Sequence, residues 1–228
     1  MSFIRLSWRF GFATLCAAGL PTALAAQGVT VTGRVTIQDR DGRPGTDQAQ
    51  AVVWLEGASA PAGAPVTVEL ATEGKQFVPH LVVVPRGSTV AFPNHDPFNH
   101  NVFSLAAERV FDLGLYGRGE SKSVEFTVPG VIRVYCNVHA QMRGLVVVAG
   151  SGLFTQPETD GTFRLERVPP GEYVLHVWHE RTAEVTQPLR VGPAAPAPVV
   201  MALDARGYRL VQHKDKNGKS YSDRSRRY

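Results

Sequence analysis

Short runs of β-branched and aromatic residues recur along this chain, separated by Gly, Pro, Asn and Asp. Beyond the first 26 residues, no long segment carries apolar residues at helical spacing. Apolar runs bounded by such turn residues are typical of strands, and their spacing is typical of β-sandwiches. The pattern therefore predicts an all-β fold, with strands at residues 29–35, 51–55, 66–70, 80–84, 88–92, 123–128, 131–135, 144–148, 162–165, 173–178 and 189–191.

The first 25 residues have the order of a secretory signal peptide. Arg5 and Arg9 precede an apolar run at residues 10–20, and the small-residue motif Ala23-Leu24-Ala25 follows. A membrane anchor is the alternative, but the apolar run is shorter than the ~20 residues that a spanning helix needs. We expect cleavage at the end of this motif and export to the bacterial periplasm, without stable membrane insertion.

Removal of the signal leaves Cys136 as the only cysteine, because Cys16 is cleaved off with it. An intrachain disulfide is then impossible in an oxidising compartment, where most cysteines are paired. An inert buried cysteine is one explanation, and a metal ligand is the other. The signal also carries two arginines and no acidic residue, so the formal net charge of +4 falls by two. The small net charge that remains therefore gives no indication of a nucleic-acid partner.

The segment Tyr135 to Met142 gathers three metal-binding side chains in a C-x2-H-x2-M pattern. A thiolate (Cys136), an imidazole (His139) and a thioether (Met142) on one loop suit copper. His100 lies in a loop that follows another strand, and loops at one pole of a sandwich can meet. We expect a trigonal set of two histidines and one cysteine with a weak axial methionine, although Gln141 or a backbone oxygen could take the axial place.

Residues 73–149 resemble a cupredoxin. The C-x2-H-x2-M spacing matches the ligand loop of amicyanin, and His100-Asn101-Val102-Phe103 resembles the first-histidine motif of plastocyanins and amicyanins. The resemblance implies a Greek-key β-sandwich and one copper ion that alternates between Cu(I) and Cu(II). It also implies that Asn101 hydrogen-bonds across to the Cys136 loop, and that His139 is the exposed port for electrons.

The function implied is single-electron transfer by a type 1 (blue) copper protein that is not an enzyme. Multicopper oxidases draw additional ligands from H-x-H pairs, and the sequence contains no such pair. A similarity to methylamine-utilisation proteins implies a redox partner such as a quinoprotein dehydrogenase or a c-type cytochrome. The alternative is a periplasmic copper-binding or copper-handling protein without a role in a redox chain.

Residues 157–175 resemble the later strands of carboxypeptidase regulatory-like domains, which are small transthyretin-like sandwiches. The opening strands of that family are similar to residues 33–55. We therefore expect the cupredoxin at 73–149 to be inserted into a second sandwich, made of residues 28–72 and 150–204. Two sequential domains are the alternative. Residues 205–228 form a basic polar tail, either solvated or serving as a docking arm for an acidic redox partner.

Overall fold

The computed structural model describes residues 28–221, so the expected signal peptide at 1–25 and the end of the basic tail lie outside the described residues. Within this range the chain contains one 3-10 turn at Gln48–Gln50 and no α-helix, which confirms the all-β prediction. Seventeen strands occur there: β1 (Val29–Gln38), β2 (Val52–Glu56), β3 (Thr67–Glu69), β4 (Ala71–Glu73), β5 (Gln76–Val78), β6 (Leu81–Pro85), β7 (Ser88–Pro93), β8 (His100–Ala106), β9 (Arg109–Tyr116), β10 (Ser121–Phe126), β11 (Gly130–Tyr135), β12 (Arg143–Ala149), β13 (Phe154–Thr155), β14 (Thr162–Val168), β15 (Gly171–Trp178), β16 (Val185–Val191) and β17 (Val199–Asp204).

The strands at the two ends of the described range form one sandwich. One sheet has the order β14-β1-β17, and the other has the order β13-β2-β15-β16. Strand β1 is antiparallel to β14 and parallel to β17, so the first and the last strand share a sheet. Alternate side chains of both sheets, such as Val35, Leu55 and Leu175, bury themselves in a common core.

The strands between them form a second sandwich. A sheet of order β10-β7-β3 packs against a sheet of order β6-β12-β11-β8-β9, and β4 and β5 form a separate hairpin. The core between these sheets contains Phe92, Phe126 and Val134. Cys136 and Met142 belong to the same core, so the predicted copper loop is anchored in the interior of this sandwich.

Strand β12 has both faces buried, which explains why its sequence is almost continuously apolar. Val146 and Val148 point into the core of the second sandwich. Leu145 and Val147 point the other way and pack against the first sandwich, in a cluster completed by Val52, Leu81 and Trp178. The second sandwich therefore rests on the first one through an apolar contact.

Two details differ from the sequence-based expectation. Strand β3 is parallel to β7 and so pairs with the second sandwich, although the expected boundary at 72/73 assigned its residues to the first. The sequence pattern predicted no strand at β4, β5, β8, β9, β13 or β17. His100 is the first residue of β8 instead of a loop residue. The sequence pattern did not predict β9 because exposed polar positions and Gly114 interrupt its apolar residues.

None of the described residues forms a helix with the length and apolar character that a membrane crossing requires.

Candidate metal centre

Two paired strands bring the predicted ligands to one pole of the second sandwich. His100 begins β8, and Cys136 directly follows Tyr135, the last residue of β11. The two strands are antiparallel neighbours, with Phe103 opposite Tyr135. The start of β8 and the end of β11 therefore lie at the same pole of the sandwich. This places the side chains of His100 and Cys136 close together.

The loop from Cys136 to Met142 is closed by its own backbone. The Cys136 N–H donates to the carbonyl of Met142 at 3.1 Å, and the Met142 N–H donates to the carbonyl of His139 at 3.0 Å. These bonds turn the chain back into β12 and hold His139 over Cys136. Met142 is 1% exposed and belongs to the same core as Cys136.

Three donor atoms converge at the centre. Sγ of Cys136 lies 3.6 Å from Nδ1 of His100 and 3.6 Å from Nδ1 of His139. All three atoms lie within 4.8 Å of one another. Bonds of about 2.3 Å to sulfur and about 2.0 Å to nitrogen, the lengths usual for zinc, would at a trigonal angle of about 120° separate those atoms by about 3.7 Å. The spacing fits one ion shared by the three donors.

A carboxylate orients the first imidazole. Nε2 of His100 lies 2.8 Å from Oδ2 of Asp96, and both side chains are buried. If Nε2 carries the proton and donates it to this carboxylate, Nδ1 is left as a free donor for a metal. Sequence analysis missed Asp96, although an acid four residues before a candidate ligand was a usable signal.

The same carboxylate is held in place from behind. It accepts the backbone N–H groups of Gly74 and Lys75 in the β4–β5 turn, at 2.8 and 2.9 Å. Burial on its own raises the pKa of Asp96, but these two hydrogen bonds and the one with His100 outweigh it, so the pKa is below its usual range. Asp96 is therefore a charged anchor beside His100.

His139 is the ligand candidate nearest to the surface. Cys136 and His100 are fully buried, whereas His139 is half-buried. Burial, then the positive charges of His100 and Lys75, lower the pKa of His139, which favours the neutral ring that can bind a metal. The Phe98 ring packs against both imidazoles, with centroid distances of 5.3 and 5.5 Å.

The Cys136 sulfur also accepts a hydrogen bond. The backbone N–H of Val138 donates to Sγ at 3.4 Å. Hydrogen bonds to a ligand sulfur withdraw electron density from it and so tune a bound copper. The backbone N–H of Val138 would thus tune the properties of a bound copper, while the Val138 side chain is exposed.

Asn101 does not play the part that the resemblance implied. Its side-chain amide donates to Oδ1 of Asp112 on β9 at 2.6 Å, not to the Cys136 loop. The reason is strand alternation: His100 faces the core, so the next side chain of β8 turns away from it, toward the neighbouring strand. Its Oδ1 atom is buried and has no hydrogen-bond partner among residues 28–221.

Comparisons with known proteins agree with this donor set. Residues 64–149 match the family model of copper binding proteins of the plastocyanin/azurin family. A search of curated proteins found no match.

Solved structures with similarity to this chain include three copper proteins. A purple cupredoxin from Nitrosopumilus maritimus is 25% identical, with 36% of this chain and 96% of that chain covered and a TM-score of 0.32. A copper-containing nitrite reductase from Thermus scotoductus is 30% identical over 41% of this chain and 24% of that chain, with a TM-score of 0.34. A reduced Cu(I) amicyanin variant is 23% identical over 42% and 98%, with a TM-score of 0.35.

The part of the chain from 64 to 149 therefore matches the plastocyanin/azurin family of copper binding proteins, and one copper ion is the cofactor that its donor atoms fit.

Proposed function

We propose that this protein is a periplasmic one-electron carrier with a single type 1 copper site. The observation that carries the proposal is the convergence of Sγ of Cys136 with Nδ1 of His100 and of His139, each at 3.6 Å, at a buried pole of the sandwich. We assign these three residues as ligands and Met142 as the weak axial ligand. Copper in such a site supplies one-electron chemistry between Cu(I) and Cu(II).

The surrounding residues favour electron transfer because they hold the ligands still. Asp96 fixes the ring of His100, and the two backbone hydrogen bonds between Cys136, His139 and Met142 close the loop. Ligands that need not move between oxidation states keep the energy of reorganisation small. The half-buried His139 is the group through which an electron would enter and leave.

The proposal includes a partner and no enzymatic reaction. A redox protein, such as a quinoprotein dehydrogenase or a c-type cytochrome, would meet the His139 side of the molecule, where exposed Val138 offers apolar surface. The periplasmic location rests on the signal-like sequence of residues 1–25. Copper handling without a redox-chain role remains the alternative function.

We further propose that the copper sandwich is an insertion into a regulatory-like sandwich. Pairing of β1 with β14 and β17, and of β2 with β15, supports this organisation. The outer sandwich would then be a scaffold that carries the copper loop without chemistry of its own.

A redox titration of the copper-loaded protein tests the function. A carrier gives a reversible one-electron curve, retains its copper after reduction, and exchanges electrons rapidly with a cytochrome c. His95→Ala, at an exposed histidine near the site in sequence, is the matched control for His139→Ala. Release of copper on reduction, with no electron exchange, would support copper handling instead.

A further inference from the structure

The described part of the basic tail packs against the copper loop. Residues 208–221, called here the C-terminal strap, contact the last residue of β11 and the first two residues of that loop. The ring of His213 stacks on Tyr135 with a centroid distance of 4.4 Å and an interplanar angle of 23°. The hydroxyl of Tyr221 donates to the carbonyl of Cys136 at 2.7 Å.

The third contact involves the next residue of the loop. The backbone N–H of Lys216 donates to Oδ1 of Asn137 at 3.1 Å. The Lys216 ammonium group also pairs with Asp112 of β9 at 2.5 Å, and Asp112 is the carboxylate that accepts the Asn101 amide. The strap is thereby tied to the strand that neighbours β8, which carries His100.

The strap has an internal turn that gives it a defined shape. Asp215 is 1% exposed, and its carboxylate accepts the backbone N–H groups of Asn217 and Lys219 at 2.9 and 2.8 Å. Gly218 supplies the positive φ of 76° that this turn requires, a conformation that glycine adopts without strain. The edge contact between His213 and Tyr221, at 5.2 Å, links the residues on either side of the turn. A solvated tail would need none of these contacts.

We infer that the strap positions the copper loop, with the Tyr221 hydroxyl acting through the Cys136 carbonyl and the His213 ring acting through Tyr135. These contacts restrict the backbone on both sides of Sγ, so the sulfur stays directed at the two imidazoles before copper arrives. Restricting the loop also limits access of reagents and of competing metal chelators to the sulfur. The effects on copper rest on the proposed function, whereas the effects on the free thiol do not.

Alkylation of the copper-free protein with iodoacetamide tests the inference at Cys136, the only cysteine of the mature chain. Tyr221→Phe removes one hydroxyl and keeps the ring, and we expect alkylation to be about three- to tenfold faster, the factor that one hydrogen bond is worth. Tyr208→Phe, at a strap tyrosine whose backbone carbonyl accepts a hydrogen bond from Arg40, is the matched control and should alkylate at the wild-type rate. A chain that ends at Gly207 should show a larger increase than Tyr221→Phe.

His213 supplies a second, independent variant. His213→Ala removes the ring that stacks on Tyr135 and should speed alkylation, whereas His213→Phe keeps a ring there and should restore the slow rate. In the copper-loaded protein, His213→Ala and Tyr221→Phe should release Cu(I) to a chelator faster and shift the reduction potential.

Wild-type alkylation rates in Tyr221→Phe, His213→Ala and the shortened chain would overturn the inference. A lowered melting temperature with unchanged alkylation and potential would also overturn it, because the strap would then be a structural element only. Failure to bind copper would refute the proposed function. The alkylation rates of the copper-free protein would still test whether the strap positions Cys136.

Discussion

Nε2 of His100 and Oδ2 of Asp96 lie 2.8 Å apart in a buried environment. This contact sets which nitrogen of the imidazole faces the metal and makes that nitrogen a stronger donor. It also places a negative charge close to the centre, which stabilises the more positive Cu(II) state relative to Cu(I). The reduction potential and the copper affinity should both depend on this carboxylate.

Asp96→Asn should therefore weaken copper binding about 10- to 100-fold and raise the reduction potential. Competition with a chelator measures the affinity, and a redox titration measures the potential. Because Asp96 also accepts two N–H groups of the β4–β5 turn, circular dichroism should verify the fold. Asp41→Asn, which alters an exposed ion pair with Arg43, is the control. An unchanged affinity in Asp96→Asn would contradict this role.

The Val138 N–H that points at Sγ of Cys136 should raise the potential, because it withdraws electron density from the thiolate. Val138→Pro removes this donor. We expect the potential to fall on the order of 65–130 mV, since a hydrogen bond to a charged acceptor is worth about 1.5–3 kcal/mol and a one-electron tenfold change is about 59 mV. Val138→Ala keeps the N–H and should retain the wild-type potential. Equal potentials in the two variants would refute the argument.

The difference in exposure between the two histidines predicts different responses to added imidazole. His139 is half-buried, so the space left in His139→Gly opens to solvent and external imidazole should restore the visible absorption of the copper site. His100 is fully buried, and the space in His100→Gly should admit imidazole slowly or not at all. Absorption spectra during titration with imidazole compare the two. Equal restoration would mean that His139 is not the surface ligand.

Glu180 joins the two sandwiches in a pH-dependent way. Its carboxylate lies 2.9 Å from His80 and 3.6 Å from Arg143, while Glu180 itself follows β15 of the other sandwich. Burial on its own raises the pKa of Glu180, but the hydrogen bond with His80 and the charge of Arg143 outweigh it, so the pKa lies below 4.5.

The depressed pKa gives the direction of the stability change. The stabilisation is present above the unfolded pKa, near 4.5, and is lost as the pH falls through the lower folded pKa. Glu180→Gln should therefore lower the free energy of unfolding by about 1–2 kcal/mol at pH 7, and the difference from wild type should vanish in acid. Urea unfolding at several pH values measures this, with exposed Glu172→Gln as the control. A difference that is constant down to pH 2 would rule out the ionic contact.

The copper loop was predictable because its ligands are local in sequence. Cys136, His139 and Met142 lie within seven residues, and closing that loop needs only two backbone hydrogen bonds. His100 required one further step, the pairing of two strands at the same pole. The alternation of apolar and polar positions likewise predicted most strands of both sandwiches, because it reflects burial on one face.

The missed features depend on tertiary contacts that the local pattern of residues does not reveal. Tyr221 reaches the Cys136 carbonyl across 85 positions, and a basic polar composition gives no sign of such a contact. The partner of Asn101 is set by the local packing of β8 against β9, a strand that the pattern did not reveal. Strand β3 lies in the copper sandwich because it pairs with β7. The sequence of its three residues does not reveal which strand it pairs with.

The proposed function depends on a copper–thiolate bond at Cys136. Its most direct test is the absorption and electron spin resonance spectrum of residues 26–228 after addition of one equivalent of Cu(II), beside the spectrum of Cys136→Ser. We predict an intense visible band and a narrow copper hyperfine splitting in the wild type, both absent from the variant. A colourless wild-type protein, or a band that persists in Cys136→Ser, would contradict a copper–thiolate bond at Cys136.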